Sequence, residues 1–272
     1  MSPGRRNAVE DHTGSKVIVT GACGGIGEAI ARAFAGAGAA VTVADVRAAE
    51  LAELASALTG QGATVYHGRV DVTDDAAGQA FCASAAGALG GVDHLVNTVG
   101  VVDNMGDVVD LTPEVWERTL SVNLTSAYLL ARHAVPFMIE SGGGSIVNIS
   151  SVSGMANQAR AMAYSVTKAG MIALTRSEAI DLARHGIRAN AICPGSVETP
   201  LVEQAIHLMA SETDRSYQET RRDWESQYPT GRFSRPEEVA ELTLFLCSAR
   251  AGNVTGGSFV IDGGLTALLP ER

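Results

Sequence analysis

Short runs of β-branched and apolar residues alternate with Ala-rich helical stretches along almost all of this 272-residue chain, and that alternation limits the folds open to it. "KVIVT" (16–20) leads into "GGIGEAIARAFAGAG", where Ile26, Ala29, Ile30, Ala33, Phe34 and Ala37 recur at helical spacing. "AVTVAD" (40–45) precedes a helix with Leu51, Leu54, Ala55 and Leu58 on one face. "TVYHGRV" (64–70) precedes an Ala-rich helix near 74–89, and "VDHLVN" (92–97) precedes a longer one. Thr112-Pro113-Glu114 reads as a helix start: a capping hydroxyl, Pro in the first turn, then an acid at the positive dipole end. "GSIVNIS" (144–150), "IRANAIC" (187–193) and "GSFVIDGG" (257–264) bring the candidate strands to seven. Strands this apolar are buried on both faces, so the expected fold is α/β, a doubly wound parallel sheet with helices on both sides. No linker or long repeat divides it. A single domain over 16–272 is expected, with 1–15 a flexible tail, a polar stretch at 201–230 before the last strand, and a helix from about Pro236.

Composition narrows the partners. A net charge of −10 argues against nucleic acid, which needs a basic surface. Cys23, Cys82, Cys193 and Cys247 lie far apart without C-x-x-C spacing, which points to thiols in a reducing compartment and to no metal site. The polar first fifteen residues lack the apolar core of a signal peptide, and no apolar run reaches membrane-spanning length. A soluble, cytoplasmic protein with no membrane partner is expected.

Between the first strand and the first helix, "VTGACGGIGEA" places Gly21, Gly24, Gly25 and Gly27. Such a turn lets backbone approach a pyrophosphate, while the helix N-terminus behind it offers N–H donors and positive potential. The spacing is G-x-x-x-G-x-G rather than the commoner G-x-G-x-x-G. Asp45, 24 residues beyond Gly21, ends the second strand, where an acid can accept bonds from the adenosine ribose and repel a 2′-phosphate. Arg47 pulls the other way, because a guanidinium there could pair with that phosphate. Asp45 is nearer the strand end, and NAD is expected over NADP.

Of twenty basic residues, only Lys16 and Lys168 are Lys, and Lys168 follows Tyr164 by one helical turn. A phenol of pKa near 10 is a poor base at neutral pH, and a neighbouring ammonium would lower that value. Lys offers a compact charge that can also hold a ribose, which the broad Arg fork cannot do. Ser150 and Ser151 end "GSIVNIS", at the sheet edge where such folds bind ligands; a hydroxyl there serves either a substrate oxygen or a turn. Asn123 interrupts a helix stripe of Trp116, Leu120, Leu124 and Ala127, as a polar plug or as part of a water-mediated proton path.

In order along the chain, "TGACGGIG", "DV" at 71–72, "NTVG" at 97–100, Asn123, Ser151, "YSVTK" and "PGSVET" at 194–199 resemble the short-chain dehydrogenase/reductase family, from about Lys16 to Leu265. The resemblance implies a single Rossmann-type domain with Tyr164 as acid/base and Lys168 lowering its pKa while holding the nicotinamide ribose. Ser151, thirteen residues before Tyr164, would polarise the substrate oxygen, and Asn123 would organise a relay water. Cofactor contacts would come from Gly21, Cys23, Gly24, Gly25 and Ile26, from Asp45, from Asp71 and Val72 beside the adenine, and from Asn97 and Gly100. Pro194, Gly195, Val197 and Thr199 would serve the carboxamide end. The family's usual Asn-Asn-Ala-Gly run reads Asn-Thr-Val-Gly here, which places bulkier Val99 where backbone approaches cofactor.

The implied activity is NAD-dependent interconversion of a secondary alcohol and a ketone, in a homotetramer. The loop after Ser151 and the stretch 201–230, a candidate lid with His207, Arg215, Arg221 and Arg222, would select a small hydroxy acid, sugar derivative or cyclic alcohol, the cations pairing with any carboxylate. The alternatives are an NADP-dependent ketone or 3-oxoacyl-thioester reductase and a non-catalytic dinucleotide-sensing protein. If Lys168 needs a compact ammonium, Lys168→Arg loses about 100-fold or more in kcat/KM, the scale of general acid–base catalysis, while Lys16→Arg keeps wild-type kinetics.

Overall fold

A computed structural model describes residues 11–102 and 106–269. The described residues form a seven-stranded parallel sheet of β1 (Lys16–Thr20), β2 (Ala40–Asp45), β3 (Val65–Arg69), β4 (His94–Asn97), β5 (Gly144–Ile149), β6 (Ile187–Pro194) and β7 (Ser258–Ile261). Their spatial order is β3-β2-β1-β4-β5-β6-β7. The chain therefore winds outward in one direction from β1 and in the other from β4. Between those two strands the crossovers leave a crevice at the carboxyl edge, where open α/β sheets bind ligands.

Side chains alternate across each strand, so every apolar run feeds two cores. Val17, Val19, Val41 and Val43 face α1 (Gly25–Gly36), α2 (Ala48–Gly60) and α9 (Pro236–Cys247). Ile18, Leu95 and Ile146 face the other way, onto α3 (Asp75–Leu89) and α5 (Ser126–Glu140). The Thr112 side chain caps α4 (Pro113–Leu120) by accepting from the Val115 N–H, with Pro113 in the first turn. A π-helical turn over Ser121–Thr125 joins α4 to α5. Helix α6 (Met162–Leu182) packs along β5 and β6, and α7 (Pro200–Thr213) and α8 (Tyr217–Glu225) occupy the polar stretch before α9. No helix among the described residues is long and apolar enough to cross a membrane, and those residues hold no group of His, Cys, Asp or Glu suited to a metal ion.

The expected tail boundary at residue 15 moves. His12 is buried, its main-chain N–H donates to the Ala37 carbonyl at 2.9 Å, and its ring lies edge-on to Phe34 with Nε2 at 3.1 Å from the Leu244 carbonyl. An aromatic ring wedged between α1 and α9 orders the segment that carries it, and composition alone gives no sign of that wedge. Residues 1–10 lie outside the described residues.

One layer of the second core is polar. Asn97 and Asn148 are register partners on β4 and β5, and the Asn97 amide donates to Asn148 Oδ1 at 2.8 Å. Asn148 Nδ2 donates to Thr175 Oγ1 at 2.9 Å and to Glu178 Oε2 at 2.8 Å, both on α6. Asn97 Oδ1 and Glu178 Oε1 are buried without a partner. Burial pushes the Glu178 carboxyl up to about 7, against the pull of the Asn148 hydrogen bond. A carboxyl whose folded pKa exceeds its unfolded value adds stability below the unfolded value, near 4.5, and loses it as pH rises through about 7. Glu178→Gln is therefore expected to raise Tm at pH 8 by a few degrees and to leave it nearly unchanged at pH 4.5, measured by calorimetry at both pH values.

Candidate active site

The crevice is a cleft of about 580 Å³. Gly21 and Gly24 form one wall, Asp45 and Arg47 the end of β2, and Asp71, Val72 and Thr73 the end of β3, with Thr98, Val99 and Gly100 behind. Gly21 adopts φ +64, and a Cβ there would sit 2.9 Å from Thr98 Oγ1. Both the left-handed turn and the close approach of β4's loop therefore require glycine. Thr98 donates its hydroxyl to the Thr20 carbonyl at 2.5 Å, tying that loop to the end of β1.

Asp45 is buried at the cleft margin. Its carboxylate accepts from the Cys23 N–H at 3.0 Å, so it also braces the glycine turn. The Arg47 main chain donates at 3.1 Å, and the Arg47 guanidinium pairs with the same carboxylate at 3.2 Å. Burial pushes Asp45 up, but the hydrogen bonds from Arg47 and Cys23 outweigh it and hold the carboxyl below the usual range.

The expected catalytic residues converge behind Gly100 of the cleft wall. Tyr164 and Lys168 project from adjacent turns of α6, the Lys168 Nζ lying 5.6 Å from the Tyr164 ring centroid. Lys168 is buried and donates to the Ile149 carbonyl at 2.9 Å, which anchors the ammonium to the last residue of β5. Burial brings its pKa down to about 8. Ser151 is hydrogen-bonded to Tyr164, whereas Ser150 turns away and donates to the Lys168 carbonyl at 2.7 Å. The two adjacent serines, equivalent by composition, thus face different partners.

Asn123 is fully buried in the π-helical turn. Its Oδ1 accepts from the Val101 N–H at 2.7 Å, and its Nδ2 donates to the Val101 carbonyl at 2.9 Å and to Thr167 Oγ1 at 3.3 Å. Both amide protons are committed, to the Val101 carbonyl and to Thr167, which makes the side chain a clamp. The clamp fixes the strand-end loop against α6. Beside it, a Cβ on Gly100 would stand 3.3 Å from Lys168 Nζ and 3.7 Å from Asn123 Oδ1, so the bare glycine joins the dinucleotide-sized cleft to the buried ammonium.

A family model described as "Enoyl-(Acyl carrier protein) reductase" matches residues 21–266. The cis-4-hydroxycyclohexanecarboxylate dehydrogenase of Sinomonas cyclohexanicum is 40% identical over 251 residues, covering 92% of this chain and 96% of that enzyme. The chain belongs to the short-chain dehydrogenase/reductase family. The D-beta-hydroxybutyrate dehydrogenase of Cupriavidus necator is 36% identical, covering 93% of this chain and 98% of that one. Ligand-free Thermoplasma acidophilum aldohexose dehydrogenase shares the fold at a TM-score of 0.85 and 33% identity, over 97% of each chain. This member is accordingly an oxidoreductase that acts on CH–OH groups with a nicotinamide cofactor.

Within this family frame, the structure does not bring every expected residue to the cleft. Gly21, Gly24, Asp45, Asp71, Val72 and Gly100 line it. Asn97 is not among the lining residues; its amide donates to Asn148, and Thr98 and Val99, which follow it, line the cleft. Cys23 meets Asp45 through its main chain, with its thiol pushed up to about 12 by burial. Thr199 caps α7 and lies across the glycine turn, 2.7 Å from where a Cβ on Gly25 would be. Val197 is buried and bridges Ser234. Pro194 ends β6, and the Gly195 N–H donates to the Ile261 carbonyl at 3.0 Å. Ile26 packs into the α1 core.

Two electrostatic expectations change. Burial raises the Tyr164 phenol above its ordinary value, and the Ser151 hydrogen bond is the opposing pull. The ammonium is anchored to Ile149 rather than to the phenol, and it reaches the ring only as a cation over the face. Two of the four candidate cations in 201–230 are also committed: Arg215 pairs with Asp223 at 2.6 Å and Arg221 with three carboxylates, so neither stands open to a substrate anion. The sequence reading passed over Arg160, the sole charged residue between Ser151 and Tyr164. Its backbone is held at φ 62 and its side chain pairs with Asp110 at 3.2 Å. A non-glycine left-handed residue has no signal in sequence. Glu178 had one, since it continues the Lys168, Met171, Thr175 stripe of α6.

The serine pair separates function from packing. Ser151→Ala is expected to cut kcat by about 100-fold with little change in Tm, and Ser150→Ala to lower Tm while retaining most of kcat, by steady-state kinetics and thermal melts of the two variants.

Proposed function

We propose that this enzyme oxidises the secondary alcohol of a small hydroxy acid with NAD, reversibly, using Tyr164 as the acid/base. The observation that carries this reading is the meeting of Ser151, Tyr164 and Lys168, with the Lys168 ammonium against Gly100 of a cleft that Asp45 also lines. The residues present fit a dinucleotide: a glycine turn that side chains would fill, a carboxylate at the ribose position, and a buried ammonium beside bare Gly100. Bound nicotinamide would supply the redox chemistry, accepting hydride from the carbinol carbon.

The chain's own groups handle the proton and the orientation. The Ser151 hydroxyl orients the substrate oxygen toward the Tyr164 phenol, and Tyr164 takes the hydroxyl proton. A phenol raised by burial needs positive charge nearby to ionise, and Lys168 supplies it below its pKa of about 8, where it is mostly protonated. The Ile149 carbonyl keeps that ammonium in place, and the Asn123 clamp on Val101 keeps the adjoining loop from drifting over the cleft.

NAD is favoured because Asp45 is a buried, ionised carboxylate braced on the glycine turn, which a 2′-phosphate would face directly. Arg47 supports the second reading, NADP-dependent reduction of a ketone or acyl thioester, since its exposed guanidinium could rotate from Asp45 onto a phosphate. A hydroxy acid is favoured because two similar enzymes are named for hydroxycarboxylates, cis-4-hydroxycyclohexanecarboxylate and D-beta-hydroxybutyrate. In this proposal the enzyme works in the cytoplasm, helices α7 and α8 form the lid over the substrate, and α4–α5 and α6 pack between subunits of a homotetramer.

The test is a panel of hydroxy acids, sugars and cyclic alcohols followed by nicotinamide absorbance with each cofactor. Expected are turnover of a hydroxy acid, higher kcat/KM with NAD than NADP, near loss of kcat in Tyr164→Phe with NAD binding retained, and a narrowed cofactor preference in Asp45→Asn. A clear NADP preference in the wild type, or unchanged turnover in Tyr164→Phe, overturns the reading.

A further inference from the structure

We propose that Arg221 is a positioning residue that couples the lid helices to the loop at the nicotinamide end of the cleft; the role rests on the dehydrogenase reading above. Every nitrogen of its guanidinium is used on a different carboxylate. Nη2 donates to Glu198 at 2.7 Å, Nη1 to Glu203 at 2.9 Å, and Nε to Glu225 at 2.9 Å. Those acids belong to the loop between β6 and α7, to the first turn of α7, and to the end of α8. Tyr217 adds a hydroxyl bonded to Glu203 and within 3.3 Å of Arg221 Nη1, and the Phe233 ring lies 5.6 Å below the guanidinium carbon. A planar five-donor fork can satisfy three carboxylates at once, which no ammonium can.

The charge balance makes this arrangement a clamp. Three carboxylates around one cation repel one another as soon as the cation is withdrawn, so Arg221 supplies the charge that holds the acids of the loop, α7 and α8 together. The pairs are half-buried, where such interactions outlast the screening that removes surface pairs.

The coupling runs through Glu198. Its side chain is held by Arg221, while its main-chain N–H donates to the Ser234 carbonyl at 2.9 Å. Tyr228 steadies the same loop from below by accepting from the Ser196 N–H at 2.9 Å. The next residue, Thr199, lies across the glycine turn at Gly25. A cleft of about 710 Å³ opens between these groups and α7, lined by Glu198, Thr199, Glu203, His207 and Arg221. Any displacement of α8 therefore pulls on the residue adjoining the one that touches the dinucleotide turn. Lid position and the cofactor loop move as one unit.

Trp224 reports on this directly. It sits on α8, edge-on to Phe233 at 5.5 Å, and Trp116 is the only other tryptophan. The experiment uses the full chain with Trp116→Phe, so that emission comes from Trp224 alone, and follows emission and NAD affinity by titration with NAD. In Arg221→Met the apo emission should shift to the red, NAD should no longer change it, and the Kd for NAD should rise about tenfold, which is 1.4 kcal/mol. Glu198→Gln should give the same defect, and the double variant should be no worse than Arg221→Met alone, as for two residues acting through one contact. Arg221→Lys, which can serve one carboxylate, should fall between. Gln218→Ala, on the exposed side of α8, should match the parent. The inference is overturned if Arg221→Met leaves Trp224 emission and NAD affinity unchanged, or if the Arg221 and Glu198 effects multiply. Because emission and Kd are read without turnover, a wild type that oxidises no hydroxy acid would sink the substrate reading while leaving this coupling supported by its own titrations.

Discussion

A buried ammonium held by a strand carbonyl organises this molecule. Lys168 is 3% exposed and its Nζ is 2.9 Å from the Ile149 carbonyl, at the end of β5. Burial lowers its pKa from 10.5 to about 8. Between those values the folded state binds fewer protons than the unfolded chain, so stability falls as pH drops from 10.5 toward 8 and stays lower at neutral pH. The fold keeps an unfavourable charge in order to have it beside Tyr164. That choice then dictates its neighbours: Ser150 fixes the Lys168 backbone, Gly100 leaves room at Nζ, and Asn123 pins the loop that carries Gly100.

Below that charge the same face of the sheet stays polar for another layer. Asn97, Asn148, Thr175 and Glu178 join β4, β5 and α6 by side-chain hydrogen bonds where apolar packing would otherwise serve. Directional bonds fix the register of α6 on the sheet more tightly than interchangeable methyl groups can, and α6 carries both Tyr164 and Lys168. A helix displaced by a fraction of a turn would break these bonds and leave buried polar atoms unpaired. The layer is thus a positional reference for the reacting groups above it.

The fold was legible because its signals are local. Strand–helix alternation follows from the apolar period along the chain, and β1 (Lys16–Thr20) and β2 (Ala40–Asp45) end where their runs end. The turn at Gly21 was legible for the same reason. Partners were not. The bond from the Asn97 amide to Asn148 follows from cross-strand register, and register is a property of the sheet. His12 was expected in a tail and is buried under α9, a contact made across 232 positions of sequence. The Lys168–Tyr164 spacing was correct for proximity but silent on electrostatics, since the competing carbonyl of Ile149 is reached only through the fold.

The charged residues follow one rule at different depths. Arg47 and Arg221 both pair with carboxylates, yet they have different freedom. Arg47 is two residues from its partner Asp45 on an exposed turn, so its rotation disturbs nothing else. Arg221 spans the loop, α7 and α8, so its loss releases three acids at once. Lys168 holds no carboxylate; a carboxylate beside it would neutralise the charge that the phenol requires. In the function proposed above, specificity for the adenosine end therefore rests on a pair that can exchange, closure on a cluster that cannot, and the reacting end on a cation kept apart from acids. Lys168 fits this division, because it touches one carbonyl and leaves its remaining donors for the site, whereas the other lysine, Lys16, lies 3.8 Å from the Asp93 carboxylate.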